Sequence, residues 1–392
     1  MNAPSPFRAG FGKVPPVLAG RSEILKGFTD AIQAGSWGTE RAVLLRGFRG
    51  VGKTVTLETL RRIAEDSGWV TIDETASPGF LDRMLKKLRK AVQDRKPAGT
   101  TRLKSVEIAA VGGVELEHID SAAIDPTLES LLEELAELVE PDGGVLFTLD
   151  EVSQTTIGEF QSFVGALQRS ISRDREVAVV LAGLHSDIAA ILQEGTATFL
   201  RRAHNENLDL LDYASTLEAL RDPITSHGRT IAAGALDYAA AASQGYPFLT
   251  QLIGDLAWRQ HADEREITLA DVKTASKKAK RRIGASIHEP SIAHLRPFDR
   301  TVLVAMAQDD GPSKVGDLRP RLDDASKQHL NNARARLLDA GIVFTPKRGE
   351  LDFALPYLRD YLREHTVTDA MGASSRDIAD ARSKFPPPPE DL

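Results

Sequence analysis

The sequence contains no cysteine among its 392 residues. This absence excludes a disulfide framework, thiolate zinc sites, iron–sulfur ligation and cysteine nucleophiles, and it is typical of a reducing compartment. No apolar run approaches the roughly 18–20 residues needed to span a bilayer, so we expect no membrane partner. Residues 1–16 lack the apolar segment of a secretory signal, and we therefore expect a cytoplasmic protein.

The sequence also lacks an excess of basic over acidic residues. The chain has 49 Lys and Arg residues against 56 Asp and Glu residues, which leaves a net charge of −7. A protein that binds nucleic acid through its overall charge would instead be basic. Any contact with DNA must therefore come from local patches.

Short apolar segments alternate with amphipathic segments over the first half of the chain. Strands are predicted at residues 41–46, 69–75, 145–149 and 177–182, with helices between them. This alternation is typical of an α/β fold with a parallel sheet covered on both faces. The pattern divides the chain into an irregular lead (1–16), an α/β core (17–205), a helical region (206–290), a C-terminal region (291–365) and a tail (366–392) expected to be disordered.

The middle of the core is polarised by charge. Nine basic residues lie between Arg83 and Lys104, and ten acidic residues lie between Glu115 and Asp142. Residues 105–118 separate the two runs and predict a hairpin around two adjacent glycines. Such runs favour solvated helix faces. The alternative is that the basic arm contacts nucleic acid or the acidic arm.

A glycine-rich segment follows the first predicted strand and precedes a predicted helix. It fits the pattern G-x-x-x-x-G-K-[ST] at every fixed position, with the residues Gly47-Phe48-Arg49-Gly50-Val51-Gly52-Lys53-Thr54. Such a loop turns its backbone N–H groups toward phosphate oxygens, and the N-terminus of the following helix adds partial positive charge. We expect Lys53 to reach the β- and γ-phosphates of ATP and the Thr54 hydroxyl to bind Mg²⁺.

Two carboxylates end the predicted strand at residues 145–149. Asp150 is expected to hold Mg²⁺, directly or through water, as the metal partner of Thr54. Glu151 is expected to orient the attacking water and to accept its proton. An acidic pair after a strand is by itself typical of a solvated turn, but the phosphate loop favours the catalytic interpretation.

These motifs resemble those of AAA+ and STAND ATPases of the origin-recognition type. The segment VLAGRSE at residues 17–23 resembles the family's GR-x-x-E box, while GFRGVGKT and VLFTLDE resemble its Walker A and Walker B motifs. Gly245-Tyr246-Pro247-Phe248 resembles the G-x-P element of its lid domain. The closest resemblance is to bacterial ATP-binding AAA+ proteins with a C-terminal winged helix. It covers residues 15–365 and implies nucleotide-binding roles for Val17, Arg21, Phe48, Arg49, Gly50, Val51, Gly52, Lys53, Thr54, Val55, Tyr246 and Pro247.

The sequence departs from the family pattern at the two sensor positions. The end of the strand at 177–182 lacks the usual Asn or Thr, and only His185 or Ser186 is nearby. The lid helix lacks a sensor 2 arginine, since Arg259 lies more than three turns along. Turnover is therefore expected to be weak. Arg201 and Arg202 are the candidates for an arginine finger acting in trans, which requires self-association; two arginines on a solvated helix end are the alternative.

The C-terminal region predicts three helices and a hairpin. Helices are predicted at 299–309, 315–322 and 325–340, and strands at 342–345 and 351–354. This order resembles a winged helix-turn-helix, which binds double-stranded DNA in many proteins and partner proteins in others. The exposed positions of the third helix and the hairpin tip would contact DNA. The candidates are Lys327, Gln328, Asn331, Arg334, Arg336, Lys347 and Arg348.

Together these patterns predict an ATPase that works as a nucleotide-controlled switch on DNA. The alternative is a signalling or defence ATPase whose winged helix binds a protein partner.

Overall fold

The computed structural model describes residues 4–10, 13–35, 37–96, 127–153, 156–193, 195–322 and 327–365. The predicted hairpin at 105–118 and the predicted disordered tail at 366–392 lie outside these residues. In the described part of the chain, no helix combines the length and the apolar character that crossing a bilayer requires.

Five parallel strands form the sheet of the N-terminal half, in the order β2-β3-β4-β1-β5. The four predicted strands are present because their apolar runs are buried in the sheet, and the fifth, polar strand was not predicted. The strands are β1 (Ala42–Arg46), β2 (Val70–Thr75), β3 (Val145–Val152), β4 (Val177–Gly183) and β5 (His204–Asn207).

Helices cover both faces of this sheet, and each face has its own apolar cluster. The phosphate loop joins β1 to the second helix, so the loop lies at the carboxyl edge of the sheet. The helices are α1 (Ser22–Ala34), α2 (Lys53–Asp66), α3 (Phe80–Arg95), α4 (Leu128–Val139), α5 (Ile157–Ser172) and α6 (His185–Gln193), with 3₁₀ turns at Thr39–Arg41 and Gly195–Arg202.

Two basic residues of α3, Arg83 and Lys87, form ion pairs with carboxylates of β2. Lys87 pairs with Glu74 on the neighbouring strand, with 3.1 Å between Nζ and Oε1. Lys96, which follows α3, pairs with Glu134 of the acidic helix α4 at 2.6 Å. The pair of Lys96 with Glu134 is exposed on both sides and joins the basic run to the acidic run, whereas the Glu74 side chain is only 8% exposed.

Residues 213–283 form the helical region. It also contains a two-stranded parallel ladder that the sequence did not predict. The elements are α7 (Tyr213–Ser226), β6 (Thr230–Ile231), α8 (Ala233–Ser243), α9 (Pro247–Trp258), β7 (Glu266–Ile267) and α10 (Leu269–Ile283). A π-helical turn at Gly284–His288 and the short helix α11 (Glu289–Ala293) lead into the C-terminal region.

The C-terminal region contains the predicted helices and hairpin, with one additional strand that joins them into a sheet of order β8-β10-β9. The sequence missed this strand because it has only two residues, Ser313 and Lys314. The elements are α12 (Pro297–Met306), β8 (Ser313–Lys314), α13 (Val315–Arg321), α14 (Lys327–Asp339), β9 (Val343–Phe344), β10 (Glu350–Phe353) and α15 (Leu358–His365).

One continuous apolar cluster joins the C-terminal region to the helical region. The buried His288 lies at the junction, where its ring packs 5.2 Å from that of Tyr361. Its Nε2 bonds the carbonyl oxygen of Pro356 at 2.8 Å. Displacing the C-terminal region from the helical region would therefore expose apolar surface.

Candidate nucleotide-binding site

The phosphate loop has a backbone that requires its glycines. Gly50 and Gly52 have φ values of 77° and 99°, in the left-handed region that favours glycine. A Cβ at Gly47 would lie 2.3 Å from the carbonyl oxygen of Leu208. The loop ends where α2 begins, so the free N–H groups of the first helical turn face the same space. This arrangement is suited to binding an anion.

Lys53 is folded back onto the loop. Its Nζ donates hydrogen bonds to the carbonyl oxygens of Gly47 at 2.9 Å and Phe48 at 2.7 Å. Burial lowers the pKa of Lys53 to about 8, although the charge of Asp150 opposes the shift. A phosphate group near Nζ would compete with the two carbonyl oxygens for the ammonium and would favour its charged form.

Thr54 and Asp150 are in direct contact. The Thr54 hydroxyl donates to Asp150 Oδ2 at 2.6 Å, because β3 ends beside the first turn of α2. Hydroxyl and carboxylate oxygens are hard ligands of the kind that Mg²⁺ takes. The residues present therefore fit a magnesium ion, which Thr54 and Asp150 would hold.

Glu151 has an unusual backbone. Its φ is 54°, which is uncommon for a residue other than glycine. Its N–H donates to Asp150 Oδ1 at 2.8 Å, and the β3–β4 register shifts between Leu149 and Val152. Its side chain is exposed at the edge of the sheet. A strained residue at such a position is a recurring feature of functional sites.

Arg21 hydrogen-bonds the backbone of the phosphate loop. Its buried guanidinium donates to the carbonyl oxygens of Asp209 at 2.8 Å and Val51 at 3.4 Å. Burial lowers its pKa, while nearby carboxylates oppose the shift. Arg21 thereby ties the loop to the segment that follows β5.

The helical region closes on the same loop through Tyr246. The Tyr246 hydroxyl donates to the carbonyl oxygen of Arg49 at 2.9 Å, and burial raises its pKa. A Cβ at Gly50 would lie 1.9 Å from the Tyr246 hydroxyl oxygen. Gly50 therefore allows both the turn of the loop and the approach of the tyrosine.

A cavity of about 580 Å³ lies between the core and the helical region. Its walls include Asp150, Glu151 and every residue for which the sequence predicted nucleotide binding, apart from Phe48. Further polar residues on the walls were not predicted because they lie outside the recognised motifs, among them Arg8, Lys13, Asp187 and Gln251.

Asp187 lies where the sequence lacks a sensor 1 residue. It is in the first turn of α6, directly after β4, and its charge opposes the lowering of the Lys53 pKa. The nearby candidates His185 and Ser186 make other contacts. The His185 ring packs against Phe48, and burial lowers its pKa. Ser186 donates to the carbonyl oxygen of Asp339 at 3.3 Å.

Phe48 is placed outside the cavity. Its ring lies between two other rings, with centroid distances of 5.5 Å to His185 and 6.0 Å to Phe344. Phe344 belongs to β9, so the phosphate loop contacts the C-terminal region directly. Phe48 contacts the site through its carbonyl oxygen, which accepts a hydrogen bond from Lys53.

The candidate arginine fingers lie on the 3₁₀ turn after α6. Arg201 and Arg202 are both exposed and are not on the walls of the cavity. Arg201 Nε donates to the carbonyl oxygen of Leu192 at 3.0 Å. Their role in trans stays a prediction.

The candidate DNA contacts differ in exposure. Lys327, Gln328 and Asn331 of α14 and Lys347 and Arg348 at the hairpin tip are exposed. Arg334 is half-buried, with its guanidinium 3.5 Å from the Thr345 hydroxyl oxygen. The expectation that Arg336 is exposed and available was wrong, because its Nε donates at 2.8 Å to the buried Asp299 of α12.

Among the comparisons with known proteins, the solved structures bear on the fold. A family model described as a domain of unknown function (DUF8462) matches residues 285–362. No curated protein matches the sequence. The solved structure of the Aeropyrum pernix ORC2 protein in ADPNP–ADP complexes is similar with a TM-score of 0.60 and 15% identity, over 96% of this chain and 98% of that chain. The Walker-type ATPase PABY2304 of Pyrococcus abyssi is similar with a TM-score of 0.63 and 14% identity, over 92% and 98%.

These likenesses, with the five-stranded parallel sheet and the phosphate loop, show an α/β P-loop fold that this chain shares with the two solved structures. The predicted α/β fold class is thereby confirmed.

Proposed function

We propose that the protein is an ATP-binding AAA+ ATPase of the STAND type that works in the cytoplasm as a nucleotide-controlled switch on DNA. The observation that carries the switch is the contact of Phe48, in the phosphate loop, with Phe344 in the C-terminal region. The residues around the cavity support the binding and hydrolysis of ATP, and the C-terminal region supports the contact with DNA.

ATP binding would use the loop N–H groups and the Lys53 ammonium for the phosphates. Thr54 and Asp150 would hold Mg²⁺, which neutralises part of the phosphate charge when it is bound. Val17, Tyr246 and Pro247 line the same cavity and would enclose the adenine. Glu151 would orient the attacking water and accept its proton. Because no Asn or Thr ends β4, turnover would be weak.

The switch would begin at Lys53. Its ammonium now donates to the carbonyl oxygen of Phe48, and a phosphate would draw it away from that oxygen. The side chain of the same residue packs on Phe344. A change in the phosphate loop would therefore reach the C-terminal region through a single residue.

We propose that the C-terminal region is a winged helix whose α14 and hairpin contact double-stranded DNA. Lys327, Gln328 and Asn331 are exposed on α14, and the chemistry of their side chains suits phosphates and adenine edges. Lys347 and Arg348 at the hairpin tip suit the phosphate backbone. Exposed residues of α10 add positive charge nearby in the chain, namely Lys277, Lys278, Arg281 and Arg282.

A second candidate is a signalling or defence switch whose winged helix binds a partner protein. The observation that favours it is the pairing of Arg336 with Asp299, together with the half-buried position of Arg334. These contacts leave α14 with fewer free cations than the sequence predicted. Under either function, self-association would let Arg201 and Arg202 serve the site of a neighbouring copy.

Two measurements on the full chain test the proposal. Titration with a fluorescent ATP analogue should show saturable binding that depends on Mg²⁺. Gel shifts with random duplexes at low salt should show DNA binding whose affinity changes when ATP is added. A steep fall of log K with log salt would identify phosphate contacts. If no shift appears at micromolar protein, with or without nucleotide, the partner-protein function takes its place.

A further inference from the structure

Residues 4–10 pack against helix α9, and we call them the N-terminal strap. Phe7 of the strap is 4% exposed and belongs to the apolar cluster of the helical region. A Cβ at Gly254 of α9 would lie 2.4 Å from the Phe7 ring, so the glycine makes room for the ring. The backbone N–H of Arg8 donates to the buried Gln251 Oε1 at 3.0 Å. An aromatic anchor and a hydrogen bond therefore hold the strap in place.

This anchoring brings Arg8 to the wall of the nucleotide cavity. Helix α9 begins at the phosphate loop, where Tyr246 contacts Arg49 and Gly50. Gln251 is one helical turn beyond Pro247, and one turn rises about 5.4 Å. The strap thus crosses α9 about one turn from the loop that would hold the phosphates.

The charges around the cavity indicate what Arg8 would bind. Lys53 and Arg21 already donate to backbone carbonyl oxygens of the loop and of its surroundings. Arg8 and Lys13 also line the cavity, and in the described part of the chain neither has an ion-pair partner. An exposed guanidinium on the wall of the cavity that the phosphate loop also lines can bind phosphate oxygens with two parallel hydrogen bonds.

We propose that the strap is part of the nucleotide site and that Arg8 contacts the polyphosphate of the bound nucleotide. Lys13 adds a second positive charge to the same wall. The inference rests on the proposed function, since it assumes that the cavity takes a nucleotide. It assigns a binding role to a segment that carries no recognised motif.

Competition titrations with ATP, ADP and AMP on the full chain test the role of Arg8. Arg8→Ala should lower the affinity for ATP about tenfold, because a charge-assisted hydrogen bond is lost. The loss should be smaller for AMP, which has a single phosphate, and Arg8→Lys should recover part of it. The control is Arg265→Ala, which removes an exposed cation outside the cavity and should leave the affinity unchanged.

A second variant tests the anchoring. Gly254 is not on the cavity wall, but Gly254→Ala would displace the Phe7 ring. We expect it to weaken ATP binding to a similar extent while the circular dichroism spectrum stays that of the wild type. If Gly254→Ala fails to fold, the ATP affinities of Phe7→Ala and Phe7→Leu test the same anchor. We expect Phe7→Ala to bind ATP more weakly than Phe7→Leu, because alanine fills less of the space that the ring occupies.

The outcomes separate this inference from the proposed function. If Lys53→Ala loses ATP and Arg8→Ala binds it as tightly as the wild type, the role of Arg8 is wrong and the proposed function stands. An equal loss of ATP and AMP affinity in Arg8→Ala would overturn the polyphosphate contact. If the wild type binds no nucleotide, both proposals fall.

Discussion

The ring of Phe48 in the phosphate loop lies 6.0 Å from the ring of Phe344 in the C-terminal region. Residues 48 and 344 are far apart in the chain, but the fold packs their rings together with an interplanar angle of 56°. The nearby Gly341 also lies against the core, since a Cβ there would be in ordinary van der Waals contact with Leu184 at 3.4 Å and Phe48 at 3.9 Å. The segment between α14 and β9 is therefore fitted to the core.

This contact predicts that Phe48→Ala uncouples the nucleotide from the C-terminal region. The variant should bind ATP within a few-fold of the wild type, because the ring lies outside the cavity. It should lose the effect of ATP on DNA affinity, since an aromatic pair contributes about 0.5–1.5 kcal/mol. Gel shifts with and without ATP measure both. Phe298→Ala, within the C-terminal region, is the control, and an unchanged ATP effect in Phe48→Ala would contradict the coupling.

Lys53 predicts a pH dependence of nucleotide binding. Its pKa is lowered to about 8, so the ammonium loses its charge as the pH rises through that value. The affinity for ATP should therefore fall, by up to about tenfold between about pH 7 and about pH 9. Lys53→Ala should show little binding at either pH. Lys277→Ala, an exposed lysine of α10, should keep the wild-type profile, and an affinity that rises with pH would refute the role of Lys53.

Glu151 is expected to act in hydrolysis and not in binding. Glu151→Gln should retain ATP affinity but slow turnover by about 10²-fold or more, because the amide hydrogen-bonds water without accepting its proton. Phosphate release under single-turnover conditions measures the effect. The exposed Glu264→Gln is the matched control. Turnover at the wild-type rate in Glu151→Gln would assign the base to another residue.

The hairpin tip and α14 predict two different losses of DNA binding. Replacing Lys347 and Arg348 with Ala should weaken binding to all sequences alike and lower the salt slope by about one per lost phosphate contact. Asn331→Ala should cost about 1–3 kcal/mol at preferred sequences and little at others. Lys26→Ala, an exposed cation on α1, is the control. Equal DNA affinity in all variants would remove the C-terminal region from the interface.

His288 predicts a loss of stability in acid. Burial lowers its pKa to about 4, and its Nδ1 is buried without a hydrogen-bond partner among the described residues. The unfolded chain therefore binds the extra proton first, so stability falls as the pH drops from about 6.5 to about 4, by up to about 3 kcal/mol. Denaturant unfolding at several pH values measures the fall. His288→Gln should flatten it, whereas the exposed His294→Gln should not.

The sequence predicted the parts of the site that are contiguous in the chain. The phosphate loop and Asp150 stand next to apolar strands, so a local pattern contained both the chemistry and its position. Phe7 could not be predicted in the same way, because its partner Gly254 is remote in the chain and no periodicity links the two. The contact of Phe48 with Phe344 was missed for the same reason.

A short strand and one arginine account for other differences between the predicted and the observed structure. β8 has two residues, and its place is set by its partners on β10 and not by its own composition. Arg336 occupies a helical position that sequence periodicity leaves on the surface, but the buried carboxylate of Asp299 draws it inward. In both cases a tertiary partner overrode a local preference.

Strand β5 ends the large sheet with a row of polar side chains. It has four residues, and among the residues that the structure describes it pairs only with β1, which leaves its other side as an edge of the sheet. Asn205 accepts from Arg46 and donates to the carbonyl oxygen of Ala203, while Glu206 lies near His204. A short edge with charged side chains resists pairing with the strand of another chain, which protects the protein from aggregation. If two copies of this protein associate, we therefore expect them to contact each other through their helices. Their large sheets would not pair through β5 into one continuous sheet.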